Sequence, residues 1–285
     1  MLKGGEHMRK KLQLKNCAVI NDLTGYGRCA LNVTVPIMSA QGVRVLAAPT
    51  AVLSNHTAFD EYYFSDLTGG MEEYFKNWEK LSLHFDGIYT GFLGSEHQVQ
   101  IISDFIKKAK SENTLLFVDP VMGDDGKLYS TYTDGLVAKM RALVHNADII
   151  TPNLTEACFL AQVPYSEMLG ANDDKLFLLA EKLCGLGAKC SIITGIYRGN
   201  SVSNIVYDKR NDERFVSSSK YIAREYCGTG DLFATLLCGY VLQGIPLRRA
   251  IRKTASFICR AVKLSDSLNV SPTDGVAFEP ILKRI

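Results

Sequence analysis

One acidic residue stands at the start of a predicted helix, directly behind two glycines. Asp231 follows Gly228, Thr229 and Gly230, and an amphipathic apolar run begins at Leu232. The glycines let a ligand approach the bare backbone, and the helix start turns N–H groups and the positive end of its dipole toward it. Such a site can stabilise charge on a phosphoryl group while the carboxylate accepts a proton from a hydroxyl. The alternative is an N-cap at Thr229, with Asp231 only complementing the helix dipole.

A second polar cluster, residues 151–156, lies where a strand is predicted to end and a helix to begin. Asn153 and Glu156 have the spacing of a capping box, which is the favoured interpretation of this segment by itself. The alternative is that Glu156 holds a hydrated Mg²⁺, which keeps several waters and takes only one or two protein carboxylates.

Carboxylates also follow the apolar run 115–118. Asp119 comes directly after it, so we expect this side chain at a strand end beside the phosphates of a ligand. Asp124 belongs to a Gly-Asp-Asp-Gly run that a turn alone would explain equally well. Because carboxylates repel a triphosphate, a role for either residue requires a cation between them.

Two further polar clusters follow the first two predicted strands. They are Asn21-Asp22 and the segment Ser-Asn-His-Thr at 54–57. Asp22 is a candidate ligand contact because of its place at the end of the first predicted strand. A lone histidine such as His56 is more often a satisfied structural group than a ligand. Since ligands of open parallel sheets bind outside the carboxyl ends of the strands, we expect all five clusters to border one crevice.

The elements that must position these residues follow from hydrophobic periodicity. Short apolar runs rich in β-branched residues alternate with segments of helical period, which indicates a mostly parallel sheet covered by helices. Strands are predicted over residues 17–20, 44–48, 87–90, 115–119, 148–151 and 190–194. Helices are predicted over residues 30–41, 96–110, 135–144, 175–186, 232–243 and 247–264. Residues 201–207 and 213–219 flank a polar tip and predict an antiparallel hairpin.

Composition narrows the class of protein. A chain of 285 residues with 47% hydrophobic content can bury one large core, so we expect a single domain over 16–285 behind a flexible tail, 1–15. The 32 basic and 30 acidic residues include no long block of like charge, which argues against a nucleic-acid partner. Eight cysteines without a C-x-x-C pair predict reduced thiols, and no apolar stretch reaches membrane-spanning length. A cytoplasmic protein without a membrane partner is expected.

Taken together and in this order, the segments resemble the ribokinase superfamily, and within it the pyridoxal kinases of vitamin B6 salvage. The resemblance covers roughly residues 20–264 and is carried by the motifs at 54–57, 90–95, 118–124, 151–156 and 228–231. It implies a three-layer α/β/α fold, a homodimer, and ATP and Mg²⁺ as cofactors, with a monovalent cation as a further candidate. It also implies phosphorylation of the 5′-hydroxymethyl group of a pyridine ring.

The resemblance implies a role for each matching residue. Asp231 matches the catalytic base, and Gly228, Thr229 and Gly230 match the anion hole. Residues that match positions around Mg-ATP are Asp119, Asp124 and Glu156, and those that match other nucleotide-side positions are Thr151, Asn153 and Thr194. His56, Thr57 and Phe92 match the substrate pocket, where the family usually has Tyr in place of Phe92.

The first strand departs from the pyridoxal kinase pattern. Better-known pyridoxal kinases end it with Ser, whereas Asn21-Asp22 followed by Gly25 is similar to the hydroxymethylpyrimidine kinases of thiamin synthesis. Asp231 argues against that group, since many of its members carry Cys at this position. A non-catalytic vitamer-binding protein is a third alternative, but it would need neither a base nor a phosphate cradle. Residues 124–132 are expected to form a mobile flap.

Overall fold

The computed structural model describes residues 14–221 and 225–285. Most of the predicted tail, residues 1–13, therefore lies outside the described residues. Lys15 already pairs with Val43 in the sheet, so the first strand begins two residues before the predicted start. Among the described residues, no helix has the length and apolar character needed to cross a membrane.

A mixed sheet forms the centre of the described chain. Its strands are β1 (Lys15–Tyr26), β2 (Val43–Asn55), β3 (Phe64–Asp66), β4 (Gly87–Thr90), β5 (Leu115–Val118), β8 (Ile149–Ile150), β9 (Cys190–Arg198), β10 (Ser201–Asp208) and β11 (Glu213–Lys220). A separate two-stranded ribbon consists of β6 (Gly123–Asp124) and β7 (Lys127–Leu128). Within the described residues the sheet order is β11-β10-β9-β8-β5-β4-β1-β2-β3. The six central strands from β9 to β2 run parallel, while β3, β10 and β11 pair antiparallel.

Helices cover both faces of this sheet. They are α1 (Ala30–Ala40), α2 (Thr68–Lys80), α3 (Glu96–Ala109), α4 (Asp134–Val144), α5 (Leu154–Ala161), α6 (Tyr165–Met168), α7 (Asp173–Gly185), α8 (Thr229–Leu242) and α9 (Leu247–Ser267). Two 3-10 segments, Pro272–Asp274 and Glu279–Arg284, follow α9. All six predicted helices are present, with ends within three residues of those expected. The sequence did not predict α2, whose first turn contains Gly69 and Gly70 and so has low helix propensity.

The side chains of β1 show why the fold has three layers. Ala18 and Ile20 point into a core shared with α2, α3, α4, α5 and α7. Cys17 and Val19 point to the opposite side, into a core shared with α1, α8 and α9. Successive side chains of a strand face opposite ways, so a strand that is apolar at every position must be covered on both faces. The predicted α/β/α architecture is confirmed, as is the antiparallel hairpin, observed as β10 and β11.

The first strand is longer than predicted, and this changes the position of Asn21 and Asp22. Both residues lie inside β1, so the prediction that they follow its end is wrong. The neighbouring strand β4 stops opposite Ile20, and the pairing of β1 with β2 shifts register between Asn21 and Leu23. Asn21 and Asp22 therefore still lie at the carboxyl edge of the sheet centre, because their neighbour ends where they begin.

Packing of α2 against α3 rests on an aromatic cluster, which generates a stability prediction. The ring of Phe105 is 4% exposed, stacks on Phe75 at 4.2 Å and lies edge-on to Phe85 at 5.7 Å. We expect Phe105→Ala to lower the free energy of unfolding by about 3–5 kcal/mol, because it leaves a cavity in a close-packed core. Urea unfolding measures this, with Leu178→Ala, whose side chain is 61% exposed, as a control expected to change it by less than about 0.5 kcal/mol. Equal effects of the two substitutions would contradict the prediction.

Candidate active site

The start of α8 is shaped to receive an anion. Gly228 precedes the helix in a left-handed conformation, with φ of +75°, and no side chain caps the helix. The N–H groups of the first turn therefore lack intrahelical partners and remain available to a ligand. A Cβ on Gly228 would lie 1.8 Å from the backbone oxygen of Arg28, whereas a Cβ on Gly230 would meet no described atom within 4 Å. The chain thus closes tightly behind Gly228 and leaves the ligand side of the turn open at Gly230.

Thr229 does not cap this helix. Its Oγ1 donates a hydrogen bond to the backbone oxygen of Tyr226 at 3.2 Å, and Thr229 is the first residue of α8 itself. The alternative in which Thr229 is an N-cap is therefore wrong. The N–H groups at the start of α8 have no side-chain cap, which supports the anion-hole interpretation.

Asp231 is half-buried on the first turn of α8, facing β1 and the start of α1. Burial, followed by the negative charge of Asp22, raises the pKa of Asp231 to about 7. A hydrogen bond from the backbone N–H of Ala30 and the facing amide of Asn21 oppose this rise. Ala30 takes a left-handed φ of +46°, which is uncommon for a residue with a side chain. A carboxylate that titrates near neutral pH is well matched to a general base.

Asn21 ties the first strand to the loop after β4. Its Oδ1 accepts hydrogen bonds from the backbone N–H groups of Asp22 at 3.0 Å and Phe92 at 2.8 Å. Its Nδ2 is buried and forms no normal hydrogen bond with any described residue. A Cβ on Gly91 would lie 2.4 Å from this Nδ2, so only glycine fits beside it. Nδ2 faces the Asp231 carboxylate, so it can donate to that carboxylate or to a ligand bound beside it.

The predicted substrate side is assembled from β1 and the loop after β2. Asp22 is buried and accepts a hydrogen bond from Thr24 Oγ1 at 2.6 Å, and burial raises the pKa of its carboxyl group. A positive charge on the nearby His56 would lower that pKa. Thr57 is exposed in the turn that follows His56, and Phe92 is half-buried in the loop after β4.

Both ring nitrogens of His56 are engaged by the backbone. Nε2 lies 2.7 Å from the backbone oxygen of Thr273, and Nδ1 accepts from the N–H of Ala58 at 3.3 Å. The ring also lies against Gly27, where a Cβ would come within 2.3 Å of Cδ2. In this structure His56 therefore holds the loop after β2 against the segment after α9, as expected for a satisfied structural histidine.

The predicted nucleotide side contains two buried carboxylates. Asp119 accepts a hydrogen bond from Thr151 Oγ1 at 2.9 Å. Glu156 accepts from the N–H groups of Met122 at 3.1 Å and Asn153 at 2.8 Å. The N–H of Glu156 in turn donates to Asn153 Oδ1 at 2.9 Å, so the predicted capping box is confirmed. Capping does not exclude a metal role, because a carboxylate oxygen can accept more than one bond.

The electrostatics of this pair favour a cation. The pKa values of Asp119 and Glu156 are raised well above their usual range, first by burial. Repulsion by Asp231 adds to the rise at Asp119, and repulsion by Asp119 adds to that at Glu156. Neither carboxylate forms an ion pair with a described residue. Within residues 14–221 and 225–285, no three His, Cys, Asp or Glu side chains form a ready-made metal cluster. The donors present suit Mg²⁺, which needs few protein carboxylates when waters and phosphates complete its shell.

The ribbon β6–β7 folds over the start of α5. The N–H of Gly126 donates to Thr155 Oγ1 at 2.8 Å, and Asn153 Nδ2 donates to the oxygen of Gly123 at 2.8 Å. Asp124 is exposed on this ribbon, and its charge contributes to the raised pKa of Glu156. The predicted flap thus exists as a ribbon anchored at the nucleotide side. Its mobility stays a prediction.

Thr194 lies on β9 and continues this edge of the site. Its backbone N–H donates to the oxygen of Pro152 at 2.9 Å, and its Oγ1 lies 3.4 Å from the same atom. An isolated parallel bridge joins it to Asn153. The carboxyl ends of β5 and β8 and the middle of β9 therefore present Asp119, Thr151 and Thr194 along one edge.

Two residues near Asp231 were missed by sequence reasoning. Cys29 stands directly before α1, and burial together with the charges of Asp231 and Asp22 raises the pKa of its thiol. Tyr129 lies on the predicted flap, and burial followed by the charge of Glu156 raises the pKa of its hydroxyl. The position of Tyr129 in the flap was the only available signal, and no sequence signal distinguished Cys29 from the other thiols.

The sequence profile of the phosphomethylpyrimidine kinase family matches residues 69–276, which is most of the chain. The chain belongs to this family. The predicted resemblance to the pyridoxal kinases of the ribokinase superfamily is also confirmed, because several relatives are named pyridoxal or pyridoxine kinases.

Three relatives show how far the likeness extends. A Bacteroides thetaiotaomicron protein described as a candidate phosphomethylpyrimidine kinase, solved in an orthorhombic form with pyridoxal, is 36% identical with a TM-score of 0.91. That match covers 95% of this chain and 96% of the other. Pyridoxal kinase from Lactobacillus plantarum is 29% identical with a TM-score of 0.87, covering 95% and 96%. Pyridoxine kinase from Bacillus subtilis is 30% identical over 193 residues, 66% of this chain and 68% of that protein.

The phosphomethylpyrimidine kinase profile matches some of the predicted site residues and not others. It includes the carboxylate pair Asp119 and Glu156, and Asp231 at the start of α8. It excludes Asp22 and His56, which lie on the predicted substrate side. The family match therefore covers the carboxylate pair, Phe92 and the start of α8, but not the predicted substrate-side residues before residue 69.

Substitution of the two glycines before Asp231 should have different effects on folding. We expect Gly228→Ala to lower the free energy of unfolding by more than about 2 kcal/mol, because the left-handed backbone costs about 1–2 kcal/mol and its Cβ meets the Arg28 oxygen. Gly230→Ala is the matched control and should be neutral or stabilising by up to about 1 kcal/mol, since its Cβ meets no described atom. Urea unfolding of both variants tests this. Unchanged stability of Gly228→Ala would show that the turn is not as tight as described.

Proposed function

We propose that this chain transfers a phosphoryl group from ATP to the 5′-hydroxymethyl group of a B6 vitamer: pyridoxal, pyridoxine or pyridoxamine. The observation that carries the proposal is Asp231, with a pKa of about 7, on the uncapped first turn of α8. It places a proton acceptor beside an anion site, as hydroxyl phosphorylation requires. The pyridoxal-bound relative and the pyridoxine kinase of Bacillus subtilis support a B6 vitamer as the acceptor.

Residues of α8 perform the proton transfer and the charge stabilisation in this proposal. Asp231 accepts the proton of the attacking hydroxyl, and the backbone N–H groups of Gly228, Thr229 and Gly230 stabilise charge on the transferring group. Asp119 and Glu156 would hold Mg²⁺, with Asp124 nearby on the ribbon. When bound, the ion supplies positive charge that offsets the carboxylates and the phosphates.

Residues of β1 and of the loop after β4 bind the acceptor ring in this proposal. Asp22 contacts the ring nitrogen or the 3-hydroxyl, and Phe92 offers an aromatic face for stacking. Asn21 Nδ2, which faces the Asp231 carboxylate but forms no normal hydrogen bond with a described residue, supplies a further donor. Thr57 and His56 shape the rim, with His56 acting through its contacts to the backbone.

The proposal includes a homodimer and a cytoplasmic location. All eight cysteines lie among the described residues and are free thiols, which supports a reducing compartment. The dimer is expected from the resemblance to pyridoxal kinases. Analytical ultracentrifugation of the full chain tests it directly.

Asp231→Asn tests the chemistry together with the substrate class. The wild-type protein should release ADP with at least one of pyridoxal, pyridoxine and pyridoxamine, and Asp231→Asn should lower kcat by about 10²–10⁴-fold, because the base is lost. Asp174→Asn, an exposed aspartate in the first turn of α7, is the matched control and should turn over normally. Near-normal turnover of Asp231→Asn would remove this residue from the mechanism.

Hydroxymethylpyrimidine belongs in the same assay, because the family name and the Asn21-Asp22 pair both point toward it. ADP release with hydroxymethylpyrimidine alone would replace the B6 assignment with a thiamin-pathway kinase. Binding of vitamers without any ADP release would favour a carrier.

The pH profile provides a second test of Asp231. Since Asp231 must be ionised to accept a proton, kcat/KM should fall as the pH drops through about 7. Asp22→Asn removes a negative charge that raises this pKa, so the acidic limb should move to lower pH. Measurements of kcat/KM between about pH 5 and 9 in both proteins show whether the acidic limb shifts. An unmoved midpoint would show that another group controls the limb.

A further inference from the structure

A second concave site lies away from the carboxylates. A cleft of about 240 Å³ opens between α9, the end of α8 and the last 3-10 segment. Its lining is Tyr240, Arg249, Arg252, Lys253, Ser256, Arg260 and Arg284, with no carboxylate among them. Tyr240 lies two and a half turns after Asp231 on α8, about 14 Å along the helix at 1.5 Å per residue. The cleft is therefore separate from the proposed phosphoryl-transfer site.

The arginines of this cleft have no counter-charge in the described structure. Arg249, Arg252 and Arg284 form no ion pair and no side-chain hydrogen bond with any described residue. By contrast Arg248, the adjacent residue on α9, pairs with Glu213 outside the cleft. On α9, the guanidinium groups that have no partner among the described residues thus lie on the cleft side, whereas Arg248 points away from it.

Aromatic rings hold the two remaining cations of the cleft. The ammonium of Lys253 lies 4.7 Å from the ring centre of Tyr240, and the guanidinium of Arg260 lies 5.9 Å from that of Phe257. Burial raises the pKa of Tyr240, and Arg260 opposes that rise. These contacts fix the positions of the charges without neutralising them.

Solvent exposure of one face of α9 does not by itself explain why its basic residues cluster there without acidic partners. Residues 249, 252, 253, 256 and 260 share the face of α9 opposite its buried residues. Arg249 is followed by Arg252 and Lys253 at spacings of three and four, and like charges at these spacings disfavour a helix. Basic residues of α2 and α3 instead have acids at these spacings, as in Lys76 with Glu72 and Lys107 with Asp104. A bound anion would remove the repulsion that α9 carries.

We propose that this cleft is a binding site for a compact anion bearing phosphate groups. Guanidinium forks bind phosphate oxygens in pairs, and the hydroxyl of Ser256 adds a donor on the same face. The volume corresponds to about eight waters at about 30 Å³ each, which is room for a small phosphate compound. The concave shape and five cations around one cleft favour a small anion over a nucleic acid, which needs an extended basic track.

Calorimetric titration of inorganic pyrophosphate into the full chain tests the proposal. In Arg252→Gln/Arg284→Gln we expect binding at this site to weaken at least tenfold. In Lys263→Gln/Lys283→Gln, which removes two exposed charges from the same two elements outside the cleft, we expect a change below about threefold. Equal weakening in both double variants, or none in the first, would overturn the proposal.

Two further readouts separate this site from its alternatives. ADP release by both double variants should match the wild-type protein, because neither alters residues near Asp231. The pyrophosphate result holds even if no vitamer is phosphorylated, so failure of the proposed function and failure of this inference are distinguishable. A short DNA duplex serves as competitor. Displacement of pyrophosphate by the duplex through Arg252 and Arg284 would replace the small-anion assignment with nucleic-acid binding.

Discussion

Mutual repulsion among carboxylates at one edge of the sheet governs this structure. Asp22 raises the pKa of Asp231, Asp231 raises that of Asp119, and Asp119 raises that of Glu156. No Lys or Arg in the described chain pairs with any of the four. Buried charges without partners destabilise a fold, so such an arrangement is typical of a functional site. The negative field at this edge is complementary to a cation, and the helix start beside it is complementary to phosphate.

The backbone around these carboxylates has little freedom to relax. Gly228 closes against the Arg28 oxygen, Gly91 closes against Asn21, and Ala30 holds a left-handed conformation that directs its N–H to Asp231. Asn21 adds hydrogen bonds that join the first strand to the loop after β4. Close packing of the backbone at Gly228 and Gly91 keeps the carboxylates near one another despite their repulsion. Strain and like charge are concentrated where ligand binding can offset both.

Charge of opposite sign lies near the two ends of α8. Its first turn borders the carboxylates through Asp231, while Tyr240 near its end borders the basic cleft. Nearly every residue between them is buried, so α8 is a rigid spacer between the two regions. The formal net charge of +2 conceals this separation, because the acidic and basic groups cancel over the whole chain. Composition carries no information about how charges cluster in space.

Local sequence patterns determined the order of the elements, the hairpin, the capping box of Asn153 and Glu156, and the glycine turn before Asp231. Each depends on residues near one another in the chain, because hydrophobic periodicity and backbone preference act over short stretches of sequence. Tertiary structure decided what depends on distant residues. It placed Asn21 and Asp22 inside β1, engaged His56 with Thr273, and brought Arg284 beside α9. The pKa of Asp231 belongs to this second group, because its two largest causes are burial and a carboxylate more than two hundred residues earlier in the chain.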